Sequence, residues 1–312
     1  MLSNLEKWTC PVCKRSLSLN NKVWLCSAHH SFDEAKEGYV NLLLAQHKKS
    51  KEPGDNKDMV NARHSFLNSG AYEPLAQALT TLCANHLNQL SAGQASELLL
   101  LDIGCSEGYY SSYIQSSFNS ATQLGNAQKS LSVYGLDISK TAIRKAAKLH
   151  NASRLDGRQG TEPNNFYDRR YAVASSYNMP VADSAVHIAL QVFAPASLEE
   201  TARVLAPGGI WVLVEPANEH LRELKTFVYD NVQQHQEKAV ITQHFTLIAQ
   251  QPLSFKIGLD DRNARLHLLK MTPYYWKISE ENKKRLIDEL RQVTTDFRIK
   301  IYKKSDEESV FT

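Results

Sequence analysis

Four residues near the start of the chain have the types and the spacing of a zinc site. Cys10, Cys13, Cys26 and His30 form the pattern C-x2-C-x12-C-x3-H. Thiolates and imidazole are preferred ligands of structural zinc, and two such knuckles close on one tetrahedral ion. His29 is an alternative to His30, although the spacing favours His30. Free buried thiols are the alternative to a metal site, and a redox C-x-x-C would leave the third cysteine and the histidine unexplained.

A second group of chemically useful residues follows a run of large aliphatic side chains at 98–101. Asp102 ends this predicted strand, Gly104 and Gly108 form the turn into a helix, and Asp137 ends the next predicted strand. Open α/β sheets bind ligands at the carboxyl ends of their strands. The turn lacks both G-x-G-x-x-G and the G-K-[ST] of phosphate loops. Its D-x-G-x-x-x-G pattern resembles the S-adenosylmethionine (SAM) loop of class I methyltransferases. An ordinary turn without a ligand is the alternative.

The elements that must position these residues alternate between strand and helix patterns. This alternation predicts an α/β, Rossmann-like class I methyltransferase fold with a seven-stranded, mostly parallel sheet and a reversed last strand. A small N-terminal zinc-binding domain precedes it. The predicted domains are 1–45 (zinc-binding, RNA recognition), 46–97 (basic loop and helical linker) and 98–312 (methyltransferase). The predicted strands lie at 98–103, 131–137, 171–176, 186–195, 210–216, 253–259 and 297–302, and 151–170 is predicted to be a loop.

Composition limits the remaining possibilities. The chain has 312 residues and a formal net charge of +3, so nucleic-acid binding must come from local patches and not from a basic whole-protein field. His47, Lys48, Lys49 and Lys51 form one such patch, which either contacts phosphates or is a solvated linker. Neither a membrane span nor a signal peptide is expected. Five cysteines, two of them in C-x-x-C, predict metal binding in a reducing cytoplasm.

Several segments resemble one enzyme family along nearly the whole chain. The zinc knuckle runs into F-D-E-A-K-E-G-Y-V-N-L-L, and Q-H-K-K-S-K-E-P-G-D, A-R-H-S-F-L-N-S-G-A-Y-E-P-L and M-T-P-Y-Y-W follow. These segments resemble the RlmA-type 23S rRNA (guanine-N1)-methyltransferases. The resemblance implies SAM-dependent methylation of a guanine in a hairpin loop of 23S rRNA, bound zinc, and a homodimer. It does not identify which guanine is methylated.

The resemblance also implies a set of cofactor-binding residues. Where the family loop usually reads G-C-G-E-G, this chain has G-C-S-E-G. If its central residue has a positive φ, a serine there is strained by about 1 kcal/mol, which would weaken cofactor binding. The implied cofactor contacts are Tyr72, Asp102, Gly104, Ser106, Glu107, Gly108, Asp137 and His220.

The reaction requires a group that handles the proton on guanine N1. An acceptor near N1 or a donor near O6 would do so. The candidates are Asp183, Gln191, Glu215 and His220, and the sequence does not choose among them. The three aromatic residues of M-T-P-Y-Y-W predict either stacking of an extruded base or a packing cluster. Two other functions stay open: a small-molecule methyltransferase, and an RNA-binding protein with a decayed SAM site.

Overall fold

The computed structural model describes residues 6–48, 50–91, 97–124, 130–155, 168–230 and 243–305. Within these ranges no helix is long and apolar enough to cross a membrane. The strands are β1 (Leu17–Asn20), β2 (Val23–Cys26), β3 (Ser31–Asp33), β4 (Tyr39–Asn41), β5 (Glu97–Ile103), β6 (Ser130–Asp137), β7 (Arg169–Val173), β8 (Val186–Val192), β9 (Leu205–Pro216), β10 (Phe245–Gly258) and β11 (Gln292–Lys304). The α-helices are α1 (Lys57–Leu67), α2 (Glu73–Ser91), α3 (Tyr109–Leu124), α4 (Lys140–Leu155), α5 (Leu198–Val204), α6 (Arg222–Lys225), α7 (Arg262–Lys270) and α8 (Glu280–Glu289).

The predicted class I sheet is confirmed, and one further strand extends it. The strand order is β10-β11-β9-β8-β5-β6-β7-β4. Strand β11 is antiparallel to both of its neighbours, as predicted for the reversed last strand. The eighth strand, β4, comes from the segment after the zinc knuckle and pairs in parallel with β7. The sequence did not reveal β4, because a three-residue strand carries almost no periodic signal.

The central strand β5 packs against a different set of residues on each face of the sheet. Leu98 and Leu100 face a core that includes residues of α1, α2, α3, α7 and α8, whereas Leu99 and Leu101 face a second core. This division follows from the alternation of side chains along a strand. Both faces are covered, which explains why β5 reads as a continuous hydrophobic run.

Several strands and the predicted loop differ in extent from the prediction. Strand β9 begins at Leu205 and not at residue 210, and β8 ends at Val192 and not at residue 195. Strand β10 begins at Phe245 and not near residue 253, and the side chains of its first half are mostly exposed. In this first half, β10 is a strand because its backbone pairs with β11, and a hydrophobic pattern in the sequence cannot show such pairing. Strand β11 likewise begins earlier than predicted, at Gln292. The predicted 151–170 loop is wrong at both ends, because residues 151–155 form the end of α4 and residues 169–170 begin β7. Residues 156–167 of this loop lie outside the described residues.

The zinc-binding segment packs directly on the sheet. Trp8 and Trp24 are almost completely buried, and the Trp8 ring lies 4.7 Å from that of Tyr134 in β6. The backbone N–H of Thr9 donates a hydrogen bond to Pro180 O at 2.9 Å. The indoles of Trp8 and Trp24 are buried in the second core. The zinc-binding segment therefore shares a hydrophobic core with the sheet. Division of the chain at residues 45 and 97 stays a proposal.

Candidate functional site

The structure brings the four predicted zinc ligands together. Their ligand atoms all lie within 4.8 Å of one another. The Sγ atoms of Cys13 and Cys26 are 3.7 Å apart, and His30 Nδ1 lies 3.6 Å from Cys10 Sγ and 3.4 Å from Cys26 Sγ. A tetrahedron with Zn–S bonds of about 2.3 Å has edges of about 3.8 Å. The donor set therefore fits zinc, and the exposed His29 is not among the clustered ligands.

The thiol of Cys26 is set up to bind as a thiolate. Burial acts to raise its pKa, but hydrogen bonds from the backbone of His30 and Ala28 and from the side chains of Cys13 and His30 together lower the pKa to about 6. The thiolate is the form that binds metal. At neutral pH this ligand therefore loses little free energy to deprotonation when zinc binds.

A cavity of about 1100 Å³ opens at the carboxyl ends of β5, β6, β8 and β9. Such an edge is where open α/β sheets bind their ligands. It holds most of the residues implied as cofactor contacts. Those lining the cavity are Tyr72, Asp102, Gly104, Ser106, Glu107, Asp137 and His220.

The glycines of the loop are required by close contacts. Gly104 has φ +71°, and a Cβ added to it would lie 2.4 Å from the Cβ of Ala194. Gly108 has φ +75°, and its added Cβ would lie 2.9 Å from the hydroxyl oxygen of Tyr171. Gly108 lies behind the loop and does not line the cavity. Both positions therefore need glycine for conformation and for space.

Asp137 holds the loop and the start of the next helix. The backbone N–H of Ser106 donates to Asp137 Oδ2 at 3.0 Å, and that of Ser139 donates to Asp137 Oδ1 at 2.7 Å. The family resemblance implies a cofactor contact by Asp137. The structure adds a second task, because the same carboxylate fixes the loop's backbone.

Two carboxyl groups around the loop, those of Asp102 and Glu107, are buried, and that of Asp137 is half-buried. Burial raises the pKa of Asp102 to about 7, and it also raises the pKa values of Asp137 and Glu107. Glu107 Oε1 lies 3.0 Å from His64 Nδ1, but its buried Oε2 accepts no hydrogen bond from any described residue. A bound cation would stabilise these carboxylates in their charged form. The loop thus fits SAM, which carries a sulfonium and an ammonium group.

Ser106 has the positive φ that the sequence raised as a question. Its φ is +50°. Its hydroxyl accepts a hydrogen bond of 2.9 Å from Arg63, which also pairs with Asp55 and donates to Met271 O at 3.2 Å. The serine therefore fastens the loop to two neighbouring segments, at the cost of backbone strain of about 1 kcal/mol.

Comparing Ser106→Gly with Ser106→Ala isolates this strain. Both changes remove the hydroxyl and its hydrogen bond from Arg63, but only glycine adopts φ +50° without a steric penalty. We expect the glycine variant to be more stable than the alanine variant by about 1 kcal/mol. Urea unfolding with equal m values measures the difference. Equal midpoints would show that the backbone relaxes at this position.

The four candidate proton-handling residues are not equivalent in the structure. Asp183 pairs with Arg203, and its side chain is 76% exposed and does not line the cavity. Gln191 lines the cavity, but its amide donates to Ala194 O and accepts from the Trp211 indole, so it positions the loop after β8. Of the four candidates, Asp183 therefore lies outside the cavity that would hold a base, and the Gln191 amide is already hydrogen-bonded within the protein.

Glu215 and His220 remain beside the cavity with different surroundings. Glu215 is partly exposed, and its Oε2 accepts from Lys300 Nζ at 2.8 Å. The Nδ1 atom of His220 accepts from the backbone N–H of Asp296 at 3.3 Å, and its ring packs on Phe297. Glu215 is therefore a carboxylate at the cavity wall, whereas His220 is held within an aromatic cluster.

Sequence reasoning missed Phe193, which lines the same cavity. Its ring is 44% exposed and stacks on His220 with a centroid distance of 5.8 Å. Its φ of +54° is unusual for a bulky residue. Phe193 directly follows β8, and Glu215 is the penultimate residue of β9. The residues that precede them, Val192 and Val214, are register partners. The strand-end position was the available signal, but the backbone conformation is not readable from sequence.

The predicted basic loop lies near this cavity. His47, Lys48 and Lys51 are exposed, and Lys49 lies outside the described residues. Further along the loop, Gly54 lines the cavity, and its added Cβ would lie 2.9 Å from Ser139 Cβ. Phosphate contact by these lysines stays a prediction.

Comparisons with known proteins match both the zinc-binding segment and the sheet that carries the cavity. Residues 8–51 match the zinc-ribbon family described as RlmA, N-terminal, and residues 95–264 match a methyltransferase-domain family. Over 286 residues the chain is 31% identical to the 23S rRNA (guanine(748)-N(1))-methyltransferase of Streptomyces fradiae, and the match covers 90% of each chain. The fold is similar to that of loganic acid methyltransferase with SAH, with a TM-score of 0.53 and 11% identity over 82% of this chain and 99% of that chain.

Proposed function

Because the chain belongs to the 23S rRNA (guanine-N1)-methyltransferases with an RlmA-type zinc ribbon, we propose that it methylates N1 of one guanine in a hairpin loop of 23S rRNA. It is a SAM-dependent methyltransferase that carries zinc. The proposal is carried by one observation: Phe193 and Glu215 both line the cavity that contains the SAM loop. An aromatic face and a carboxylate suit a guanine, which offers a flat ring and two N–H donors on one edge.

The proposed mechanism assigns each of these residues a task. SAM supplies an electrophilic methyl group on a sulfonium, with a neutral thioether as the leaving group. Asp102, Glu107 and Asp137 hold the cofactor through its cationic and hydroxyl groups. Phe193 stacks on the guanine ring, and Glu215 accepts the N1 proton as the methyl group is transferred. Lys300 keeps Glu215 oriented through their ion pair.

Access to N1 requires an unpaired guanine. N1 lies on the Watson–Crick edge and is hidden in a base-paired helix, so the base must be unpaired or flipped into the cavity. A hairpin loop presents such a base at low cost. This requirement supports a loop guanine as the substrate.

The test is methyl transfer to 23S rRNA that lacks its own modifications. Labelled SAM is incubated with purified protein and this rRNA, and primer extension then maps where N1 methylation blocks copying. We expect a stop at one unpaired guanine, which is absent with Asp102→Ala. SAM binding by calorimetry without incorporation into rRNA would favour a small-molecule substrate instead. Absence of SAM binding as well would favour an RNA-binding protein with a decayed site.

Two further parts of the proposal rest on the family resemblance and on the substrate. A homodimer would join two zinc modules beside one RNA cleft, and the family resemblance alone supports it. The cytoplasm is the proposed location because ribosomal RNA is the proposed substrate. The Cys3His residues Cys10, Cys13, Cys26 and His30 are the proposed zinc ligands.

A further inference from the structure

The segment Met271–Trp276 joins the cavity to the protein surface. Met271, Thr272, Pro273 and Tyr274 line the cavity, and Arg63 fixes the segment by donating to Met271 O at 3.2 Å. The last four residues form a 3-10 turn. At a rise of about 2 Å per residue, Trp276 lies only about 4 Å along the turn from the cavity wall.

The packing-cluster prediction for this motif applies to Tyr274 and Tyr275, which pack against the main core. Trp276 is 65% exposed, and its ring meets the Tyr275 ring edge to face at a centroid distance of 5.2 Å. The chain has four tryptophans, and the other three, Trp8, Trp24 and Trp211, are at most 2% exposed. A large aromatic ring left in water beside a site is a common feature of binding surfaces.

Lysines surround the aromatic residues of this surface. The Nζ atoms of Lys283 and Lys270 lie 4.6 Å and 5.9 Å from the centre of the Tyr275 ring. Lys277 Nζ lies 5.7 Å from the Tyr229 ring. Glu280 pairs with Lys283 at 2.6 Å and offsets one of these charges. Lys270 directly precedes the segment Met271–Trp276 and Lys277 directly follows it. Two cations therefore flank the segment that carries the exposed indole, a combination that suits a nucleic-acid strand.

We infer that Trp276, with Lys270 and Lys277, forms a stacking lip for the RNA nucleotide adjacent to the target guanine. The indole stacks on the neighbouring base, and the two ammonium groups contact the phosphates that flank it. This inference rests on the proposed rRNA substrate, and it assigns a different surface from the methyl-transfer site.

Trp276→Ala, Trp276→Phe and Ile248→Ala form a matched set for the test. Ile248 is 53% exposed in the first half of β10, at the end of the sheet away from the cavity. Its truncation therefore removes exposed apolar surface at a distance from Trp276. One base–aromatic stack corresponds to about 1–3 kcal/mol. We therefore expect Trp276→Ala to raise the KM for unmodified 23S rRNA by roughly 5- to 150-fold. Trp276→Phe should recover most of this loss, and Ile248→Ala should match the wild type.

Fluorescence gives a second readout that does not depend on activity. Because the other three tryptophans are buried, acrylamide quenching in the free protein reports mainly on Trp276. Adding 23S rRNA should protect this emission from acrylamide, while SAM alone should not. The affinity for SAM should be the same in all variants.

The outcomes separate the lip from the proposed function. If wild-type protein methylates rRNA but Trp276→Ala has an unchanged KM and rRNA gives no protection, the lip does not bind RNA. If Trp276→Ala changes only the oligomeric state in size-exclusion chromatography, the surface binds protein and the inference is wrong. If the wild type neither binds nor methylates rRNA, the proposed function itself fails.

Discussion

Glu215→Gln is expected to lower methyl transfer to rRNA by about 10²- to 10⁴-fold, the usual contribution of a positioned proton acceptor. A neutral amide cannot accept the proton from guanine N1. Since Glu215 lies at the end of β9 and not in the SAM loop, SAM affinity should stay within about twofold by the same reasoning. Single-turnover kinetics with labelled SAM measures the step, and calorimetry measures SAM binding.

The ion pair with Lys300 must be controlled in this experiment. Lys300 is 4% exposed, and removal of a partner charge leaves a buried ammonium group less well compensated. The double variant Glu215→Gln, Lys300→Met removes both charges and separates the loss of stability from the loss of chemistry. Asp183→Asn is the matched carboxylate control, because Asp183 lies outside the cavity. A Glu215→Gln enzyme with wild-type turnover would show that another group takes the proton.

The sequence predicted the residues of the cofactor loop, but it did not predict which residues around the loop are free to contact a substrate. Asp102, Gly104 and Asp137 could be found because a strand end followed by a glycine turn leaves a clear pattern. Phe193 could not be found from the sequence. It is a candidate because it has a positive φ and an exposed ring, and both depend on the surrounding loops. Gln191 has the chemistry of a site residue, but only the structure shows that both ends of its amide are occupied.

The same distinction applies to the fold: elements with local sequence patterns could be predicted, and contacts between distant segments could not. Strand β5 and helix α3 follow from a hydrophobic run and a glycine turn, both of which are local signals. Strand β4 joins the sheet through pairing with β7, more than a hundred residues later in the chain. The burial of Trp8 against Tyr134 is equally long-range. A sequence reading that treats the zinc segment as separate has no local signal for either contact.

Cys13→Ala is expected to release zinc and to destabilise the whole protein. Three ligands hold zinc far more weakly than four, and binding of structural zinc contributes about 10–16 kcal/mol to the folding of isolated zinc fingers. Because Trp8 and Trp24 are buried between the zinc segment and the sheet, its unfolding would expose the second core. A loss of only 3–5 kcal/mol, typical of one buried tryptophan, would lower Tm by about 10 °C.

His29→Ala is the matched control for Cys13→Ala, since His29 is adjacent to the ligand His30 but exposed. Metal analysis should give one zinc per chain for His29→Ala and almost none for Cys13→Ala. Binding of 23S rRNA, measured well below both melting temperatures, should be lost only in Cys13→Ala. Full zinc content and an unchanged Tm in that variant would contradict the Cys3His site. Zinc loss with normal rRNA binding would mean that the zinc segment stabilises the sheet and does not grip RNA.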